Sequence, residues 1–263
     1  MIKLHLPDLT IMMSTRIDSP DRLANIRASL GYYRKYTDAH LMIIESDSES
    51  HLSEIMQMDF PEVEYIFVED HNPMLHRTHL MNEEFRRIRT RNAANIDVDI
   101  IVPIEQLHQA HDAVLNGQYV MSMPYDGRVV LSPKELADIF RETLDIGALT
   151  EIDAYQQLMF GFASLGGAYV VDVASYRELG WENEHFLCWG PEDMERFHRL
   201  DILGHRPLQV TGKCYHLPHS RGINSGDTVP ELILLTKREY FNVINMKPQE
   251  LCYYIESWTW CKR

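Results

Sequence analysis

The sequence contains no apolar run long enough to span a membrane. A transmembrane helix requires about 20 consecutive apolar residues, and no such stretch occurs among the 263 residues. The N-terminal residues MIKLHLPDLTIMMS hold one lysine and a broken apolar run, which is typical of a first strand and not of a signal peptide. These absences predict a cytoplasmic protein, with peripheral attachment to the inner face of the membrane as the alternative.

Basic residues are scarce relative to acidic ones. Lys and Arg together number 25 against 39 Asp and Glu, which gives a formal net charge of −14. Proteins that bind nucleic acids need a basic surface against the phosphate backbone. The charge balance therefore argues against DNA or RNA as the main partner, and the even spread of acidic residues predicts a solvated surface.

Cysteine is also scarce, and no two cysteines form a C-x-x-C pair, which argues against a zinc knuckle. Without a secretory signal, the four thiols are expected to stay reduced; they belong to Cys188, Cys214, Cys252 and Cys261. The sequence shows no internal repeat and no low-complexity linker. A chain of this length can form one large α/β domain or two small ones, and we expect one domain over residues 1–263.

The first half of the chain alternates strand and helix patterns. The first helix is signalled by Ser19-Pro20, a capping residue followed by proline at the first helical position. Such an order predicts a parallel sheet with right-handed crossovers, whose ligands bind at the carboxyl ends of the strands. The predicted strands are 9–15, 40–46 and 63–69, and the predicted helices are 20–36, 50–58 and 77–91.

The second half has a more mixed pattern. Residues 96–102 continue an apolar stretch through an acidic motif, and residues 160–173 are typical of a strand pair interrupted by glycine. Helices are predicted at 104–116, 133–146 and 191–204, a strand at 206–216, and one or two helices within 236–257. The fold class is therefore α/β, with a mostly parallel central sheet flanked by helices.

Two acidic motifs lie far apart in the sequence. Asp97-Val98-Asp99 ends an apolar stretch, and in an extended segment alternate side chains would place both carboxylates on one face. Two hard oxygen donors with a nearby imidazole suit Mn²⁺ or Mg²⁺ bound to a diphosphate. The second motif, Trp189-Gly190-Pro191-Glu192-Asp193, precedes His216 and His219 and offers an aromatic platform, a hydrogen-bond acceptor and a general base. Together they predict a metal-dependent enzyme that transfers a sugar from a nucleotide.

Five ordered segments resemble motifs of the β-1,4-galactosyltransferases, over residues 75 to 221. No one motif is specific, but the ordered set is. The segments are Leu75-His76-Arg77-Thr78-His79-Leu80-Met81-Asn82-Glu83-Glu84-Phe85, the acidic motif 97–99, Gly166-Gly167, the motif 189–193, and His219-Ser220-Arg221. Residues 9–70 look more like the nucleotide-binding start of bacterial GT-A glycosyltransferases, with Glu45-Ser46-Asp47-Ser48 where those enzymes carry Asp-Asp-x-Ser.

The resemblance implies a GT-A fold with a Rossmann-like sheet. Residues 1–103 would form the nucleotide-sugar-binding half, and residues 104–263 an acceptor-binding and catalytic half with C-terminal helices. The implied reaction is a metal-dependent, inverting transfer of a hexose or N-acetylhexosamine from a UDP-sugar to a hydroxyl of a saccharide acceptor. The alternatives are a non-catalytic nucleotide-sugar- or carbohydrate-binding protein, which predicts a damaged base or metal set, and a sugar-nucleotide phosphohydrolase, which needs an activated water.

By resemblance, the metal site would hold Mn²⁺ or Mg²⁺. Asp99 takes the place of the metal-binding carboxylate, Asp97 that of the residue contacting the donor, and His219 that of the imidazole ligand. His216 departs from the family, which usually has methionine there, so it either binds the metal or only packs. A D-x-D triplet also arises by chance in acidic proteins, and a lone histidine is more often structural.

The resemblance also assigns residues to the donor. Arg16 and Arg77 would lie against the diphosphate or the base, with a plain surface charge as the alternative for each. Trp189 would contact the sugar or diphosphate, with a core aromatic as its alternative. By its position in the chain, Glu45 or Asp47 would accept a hydrogen bond from uracil. The pair Gly166 and Gly167 completes the donor-binding set.

Asp193 would take the proton from the acceptor hydroxyl, and Glu192 would hold a neighbouring sugar hydroxyl. Both can also simply cap the helix they begin, since carboxylates are favoured in a first turn. Residues 220–230 form either a lid over the donor or an ordinary surface loop. In galactose-specific members of the family an aromatic residue faces the C2 side of the sugar; Ser164 stands there, or Leu165 or Ala163 if the alignment shifts. The small residue predicts that UDP-GalNAc or UDP-GlcNAc is accepted at least as well as UDP-Gal.

Overall fold

Strands and helices alternate through the first half of the chain. In the computed structural model, which describes residues 3–150, 157–159, 163–224, 226 and 229–262, this half comprises β1 (Leu9–Thr15), α1 (Pro20–Tyr36), β2 (His40–Asp47), α2 (Ser53–Asp59), β3 (Glu64–Glu69), α3 (Arg77–Phe85) and β4 (Asn92–Ile96).

The remaining elements belong to the second half. They are β5 (Ile100–Ile101), α4 (Ile104–Leu115), β6 (Met121–Met123), β7 (Arg128–Leu131), α5 (Lys134–Thr143), α6 (Gly147–Thr150), β8 (Gln157–Leu158), β9 (Ala168–Asp172), α7 (Val173–Glu178), α8 (Glu192–Ile202), β10 (Leu208–Gln209), β11 (Lys213–His216), α9 (Pro230–Ile244), α10 (Pro248–Glu256) and a short 3₁₀ helix (Trp260–Lys262).

A seven-stranded sheet in the order β10-β6-β9-β4-β1-β2-β3 forms the centre of the fold. Strands β1, β2, β3 and β4 are mutually parallel, whereas β9 runs antiparallel to both β4 and β6. This arrangement confirms the predicted α/β class with a mostly parallel central sheet flanked by helices. The carboxyl ends of β1, β2 and β4 lie along one edge of the sheet, where such folds bind ligands.

Alternate residues of β1 pack against different apolar layers. Ile11 and Met13 join the larger core together with α1, whereas Met12 joins a second cluster that contains Phe85 of α3 and Trp181. A parallel strand covered on both faces reads as a continuous apolar run. The apolar run LTIMMST predicted a buried strand, and the structure confirms this strand as β1.

Helix α1 fixes the position of the segment after β4. The Ser19 side chain accepts a hydrogen bond from the Arg22 amide, and Pro20 occupies the first helical position, as predicted. From the buried face of α1, Ser29 donates its hydroxyl hydrogen bond to the Val98 carbonyl at 2.7 Å, and Tyr33 donates to the Ile100 carbonyl at 3.4 Å. The acidic motif is therefore held by a helix more than sixty residues earlier in the chain.

A second, four-stranded sheet in the order β5-β11-β7-β8 packs beside this segment. Strand β11 pairs antiparallel with β5, which places His216 opposite Ile100 and Tyr215 opposite Ile101. The Leu217 amide then donates to the Asp99 carbonyl at 2.8 Å. Two hydrogen-bonded strands thus bring the end of β11 to the acidic motif.

Several predicted elements differ in extent from those observed. The helix predicted at 77–91 ends at Phe85, and the strand predicted at 206–216 is two strands, β10 and β11, that belong to different sheets. Of the strand pair predicted at 160–173, residues 163–167 have no regular structure and only β9 is a strand, while residues 160–162 lie outside the described residues. The helix predicted at 133–146 ends at Thr143, and α9 begins six residues before the predicted 236.

Within the described residues, no helix combines the length and apolar character that crossing a bilayer requires. All four cysteines are free thiols. Helix α9 packs against α8, and Val243 of α9 shares a small apolar cluster with Leu251, Ile255 and the tryptophans Trp258 and Trp260.

Candidate active site

The acidic motif forms a turn and not the extended segment that the sequence suggested. Residues 97–99 connect β4 to β5, and the Ile100 amide donates to the Asp97 carbonyl at 2.9 Å, which closes the turn. The Asp97 amide donates to the Gly167 carbonyl, also at 2.9 Å. Because the backbone turns between them, Asp97 and Asp99 contact different side chains.

Asp99 lies with two histidines in an arrangement that can hold a metal ion. One ligand atom from each of Asp99, His216 and His219 lies within 4.8 Å of the others. The Nε2 atom of His219 is 3.1 Å from Asp99 Oδ2, and Nε2 of His216 is 3.8 Å from Asp99 Oδ1. The three residues predicted as metal ligands are therefore brought together.

The charges around Asp99 favour its carboxylate form. Burial opposes ionisation, but the hydrogen bond from His219 and the charge of Arg22 hold the pKa of Asp99 well below its usual range. Burial lowers the pKa of His216, whereas the bond to Asp99 raises the pKa of His219. The set thus provides an anionic oxygen and a histidine that burial keeps neutral.

The donor set fits a divalent cation such as Mn²⁺. Nδ1 of His219 lies 2.7 Å from the Ser220 carbonyl, so a ring that keeps its proton on Nδ1 and gives up the one shared with Asp99 would present the Nε2 lone pair to a metal. Nδ1 of His216 is buried and has no hydrogen-bond partner among the described residues. One carboxylate oxygen with two imidazole nitrogens suits Mn²⁺ better than Mg²⁺, which prefers oxygen ligands.

Sequence reasoning missed Arg22, which also contacts this cluster. From the first turn of α1, its Nη1 atom donates to Asp99 Oδ2 at 3.1 Å and its Nε donates to Asp18 Oδ1 at 2.8 Å. The signal was available, because Ser19-Pro20 starts a helix just after β1. First-turn residues of such a helix lie at the carboxyl edge of the sheet.

Arg77 links Asp97 to the second acidic motif. Its guanidinium pairs with Asp97, and Nη1 lies 3.8 Å from Glu192 Oε1. Burial and the neighbouring charges of Asp99 and Asp193 raise the pKa of Asp97 to about 6, against the opposing charge of Arg77. Arg77 is therefore not a solvated surface residue. It binds two carboxylates inside the site.

Glu192 and Asp193 occupy the first turn of α8, as predicted. Glu192 is 5% exposed, and its Oε2 atom is buried with no hydrogen-bond partner among the described residues. Burial and the adjacent Asp193 charge raise the pKa of Glu192 to about 7. Asp193 is partly exposed, and its Oδ1 accepts from Arg196 Nη1 at 2.8 Å.

Gly166 allows Asp193 to lie directly against the backbone. A Cβ at this position would overlap Asp193 Oδ2, so no larger residue fits without displacing the carboxylate. Gly167 has a φ of 90°, a left-handed conformation that glycine adopts without strain. The predicted glycine pair therefore connects the acidic turn, through the Gly167 carbonyl, to the carboxylate of α8.

Trp189 is not a core aromatic, because 41% of its surface is exposed. It precedes α8 by three residues and lies beside buried Cys188. An exposed indole near two carboxylates can stack on a sugar ring. The structure therefore argues against a core role for Trp189. Its contact with the donor stays a prediction.

Arg16 and Glu45 make structural contacts near the ends of β1 and β2. Arg16 donates from Nε to the Ser46 carbonyl at 2.7 Å and from Nη2 to Asp70 Oδ2 at 2.9 Å. Glu45 is fully buried and accepts hydrogen bonds from Tyr65 and from the amides of residues 51 and 52. Asp47 is partly exposed, which leaves it the more accessible of the two carboxylates proposed for uracil.

The candidate lid begins beside the metal cluster. Ser220 donates to Asp21 Oδ2 at 3.3 Å, and Asn224 accepts from the Leu75 amide at 2.8 Å. These contacts join the loop to the start of α1 and to the segment before α3. Residues 225, 227 and 228 lie outside the described residues, and the lid role stays a prediction.

Comparison with known proteins supports the fold and little else. No protein-family model matches the sequence, and no curated protein matches it. A crystal structure of glucosyl-3-phosphoglycerate synthase from Mycobacterium tuberculosis, in complex with Mn²⁺, uridine diphosphate and phosphoglyceric acid, superposes with a TM-score of 0.52 at 13% identity, covering 88% of this chain and 78% of that chain.

A second crystal structure of the same synthase, with Mn²⁺, uridine diphosphate and glucosyl-3-phosphoglycerate, gives a TM-score of 0.52 at 14% identity, covering 87% of this chain and 76% of that chain. Identity this low shows the fold alone. The chain has the GT-A glycosyltransferase fold, as predicted. The finer resemblance to β-1,4-galactosyltransferases stays a prediction.

Proposed function

We propose that the protein is a metal-dependent, inverting glycosyltransferase that moves a hexose or N-acetylhexosamine from a UDP-sugar to a hydroxyl of a saccharide acceptor. The observation that carries the proposal is a carboxylate-imidazole cluster in the same site as two carboxylates at the start of α8, with Arg77 linking Asp97, two residues before Asp99, to Glu192. Binding of Mn²⁺ and uridine diphosphate by the structural neighbours supports it.

The first group of residues would hold the donor. A bound divalent cation supplies positive charge that neutralises the diphosphate leaving group. Asp99, His219 and His216 would hold that cation. Asp97, fixed by Arg77, would orient the donor, and Arg77 itself adds positive charge on the side that faces α8. Fixed charges of this kind stabilise a developing anion without reorganising.

The second group would activate the acceptor. Asp193 would take the proton of the attacking hydroxyl. Its Oδ1 is bound by Arg196, and its Oδ2 lies against Gly166. Glu192, whose Oε2 has no hydrogen-bond partner in the described part of the chain, would bind a neighbouring hydroxyl of the acceptor sugar. A single base and no covalent nucleophile give in-line attack, and hence inversion at the anomeric carbon.

The test compares Asp193→Asn with the wild-type protein. The amide keeps the size of the side chain but cannot accept the proton, so turnover should fall by about a hundredfold or more while donor binding changes little. Turnover is measured as UDP release from UDP-Gal, UDP-GalNAc and UDP-GlcNAc, with Mn²⁺, with and without a panel of mono- and oligosaccharide acceptors. Asp201→Asn on the same helix, whose carboxylate pairs with exposed Arg206, is the control and should keep full activity.

Four other outcomes would each reject a part of the proposal. Equal UDP release with and without acceptor would indicate a phosphohydrolase, and tight donor binding without turnover would indicate a binding protein. Retained anomeric configuration in the product would refute inversion. Undiminished turnover in Asp193→Asn would move the role of base to Glu192.

A further inference from the structure

We propose that Arg196 is a positioning residue for the general base Asp193, and that buried Glu182 holds Arg196 for this task. The inference rests on the proposed function, since it concerns how the same base is kept in place. It assigns a role to a pair of buried charges that the sequence motifs do not include.

Arg196 reaches Asp193 from within the protein. It lies one turn along α8 from the base, is 2% exposed, and donates from Nη1 to Asp193 Oδ1 at 2.8 Å. Residues three apart on a helix share a face. A planar guanidinium that binds one oxygen in a fixed direction leaves the other oxygen, Oδ2, to meet the acceptor.

Glu182 binds the rest of the Arg196 guanidinium. Arg196 Nη2 donates to Glu182 Oε2 at 2.7 Å, and Arg196 Nε lies 3.0 Å from Oε1. The hydroxyls of Tyr169 and Tyr176 donate to the same Oε1 at 2.5 and 2.8 Å. The carboxylate of Glu182 therefore has a full set of donors and cannot turn away from Arg196.

The backbone at Glu182 is held by the helix that carries Arg77. Its amide donates to Asn82 Oδ1 at 3.0 Å, and Asn82 Nδ2 donates back to the Glu182 carbonyl at 3.0 Å. Asn82 lies on α3, on the segment that begins with Arg77. One helix thus sets the position of Arg77 and, through Glu182 and Arg196, of the base.

The charges explain why two acids share one arginine. A buried arginine paired with Asp193 alone would form a neutral pair, in which the positive charge weakens the carboxylate as a base. With Glu182 present, the three groups carry a net formal charge of −1, and Glu182 takes the larger share of the contacts with the Arg196 guanidinium. Arg196 then supplies direction without cancelling the charge that accepts the proton.

Arg199, one turn further on, provides a matched comparison. It is fully buried and pairs with buried Glu195, its Nε donating to Oε1 at 2.9 Å, as Arg196 pairs with Glu182. Its remaining donors bind the carbonyls of Leu179 and Trp181. No hydrogen bond joins Arg199 to Asp193 among the described residues. Its role is to hold α8 against the 179–181 segment.

The experiment compares Arg196→Lys with Arg199→Lys. A lysine keeps the charge but has a single donor group, so it can bind Glu182 or Asp193 with good geometry and not both. Arg196→Lys should lower kcat about tenfold or more with little change in the KM or Kd of the best UDP-sugar in Mn²⁺. Arg199→Lys should lower Tm to a similar degree and leave kcat within about twofold of the wild type.

A double variant separates positioning from general damage. In the Asp193→Asn background, Arg196→Lys should cause almost no further loss of kcat, because the group it positions has already lost its function. A loss that multiplies with that of Asp193→Asn, or equal kcat in the two lysine variants, would overturn the proposal. If Arg196→Lys does not fold, Tyr169→Phe removes one donor to Glu182 and should lower kcat severalfold; an unchanged kcat would count against it.

Failure of this inference differs from failure of the proposed function. If the wild-type protein releases no UDP from any of the three donors with any acceptor, the glycosyltransferase proposal fails. If the wild type is active and Asp193→Asn is not, but Arg196→Lys behaves as Arg199→Lys does, only the positioning role fails.

Discussion

Two aspartates separated by one residue differ in their surroundings. Asp99 faces His219 and Arg22, which keep it ionised despite burial, whereas Asp97 depends on Arg77 because burial and two nearby acids raise its pKa. The difference follows from the turn, which directs the two side chains to different partners. It supports Asp99 as the metal ligand and Asp97 as a residue that orients the donor.

The first prediction at this scale concerns Asp99→Ala. A cation held by two imidazoles alone loses its anionic ligand, so Mn²⁺-dependent binding of a UDP-sugar should weaken at least tenfold. Isothermal titration calorimetry, with Mn²⁺ present and after chelation, measures the effect. Donor affinity equal to that of the wild type, with Mn²⁺ present, would remove Asp99 from the metal site; Asp201→Ala is the control.

The second prediction concerns Ser164 and the sugar of the donor. The Ser164 hydroxyl accepts from the Gly166 amide at 3.3 Å, so it lies next to the glycine that contacts Asp193. A tyrosine there should fill space near the sugar and disfavour UDP-GalNAc and UDP-GlcNAc relative to UDP-Gal by about 1–3 kcal/mol, or roughly 10- to 200-fold. Competition among the three donors measures it. A strict preference of the wild type for UDP-Gal would contradict the idea.

At the scale of elements, the sequence predicted correctly those helices and strands whose ends are set by interactions between adjacent residues. Helix α1 was predicted with its exact bounds because a serine cap, a proline and apolar spacing are properties of adjacent residues. The turn at 97–99 was predicted as extended because long-range contacts form it. Ser29 and Leu217 bind its carbonyls from segments about seventy and one hundred and twenty residues away in sequence.

A comparison of two glycine-to-alanine variants, at Gly166 and at Gly204, separates an effect on turnover from an effect on stability. An alanine at Gly166 would overlap Asp193 Oδ2, so turnover should fall about tenfold or more through displacement of the base. Gly204 has a φ of 83° and nothing within 4 Å of an added Cβ. Gly204→Ala should therefore cost about 1 kcal/mol of stability with activity retained.

Steady-state kinetics and urea denaturation of both variants check this contrast. The close approach at Gly166 is a feature that sequence alone could not give, since it depends on where α8 begins relative to residues 163–167. If Gly166→Ala keeps full turnover, Asp193 can act from a shifted position. The base would then not depend on the placement described above.

For the whole molecule, the site joins residues that are distant in sequence. The resemblance brought Asp99, His219 and Asp193 together as a set, but it could not show Arg22, Arg196 or Glu182, which lie outside the motifs or match no family pattern. Their placement depends on the pairing of β5 with β11 and on the packing of α1 and α8 against the sheet. Sequence therefore predicted the fold class, which is confirmed, and a set of site residues whose roles stay predictions, but not the buried contacts that hold these residues in place.

The pH dependence of stability follows from buried carboxyl groups whose pKa values are shifted in opposite directions. Burial raises the pKa of Glu84 on α3 well above 4.5, the ordinary value, so the native state keeps this proton at a pH where the unfolded chain has lost it. Its contribution to stability is complete below about pH 4.5 and is lost as pH rises toward the native pKa. Glu239 is partly buried, but hydrogen bonds from His185, Asn183 and Tyr254 lower its pKa, so its contribution is lost as pH falls.

Glu84→Gln is therefore expected to stabilise the protein increasingly as pH rises. A glutamine cannot titrate, and each pH unit above the unfolded value costs the wild type up to about 1.4 kcal/mol at this residue. Urea denaturation at about pH 5 and about pH 7.5 should show that the free energy of unfolding of the variant, relative to that of the wild type, is higher at the higher pH. Glu239→Gln should instead show a nearly constant cost across this range, because the contribution of Glu239 is already complete above about pH 4.5 and is lost only at lower pH. A constant difference between Glu84→Gln and wild type across this range would mean that Glu84 is ionised in the native protein, with Arg77 compensating for its burial.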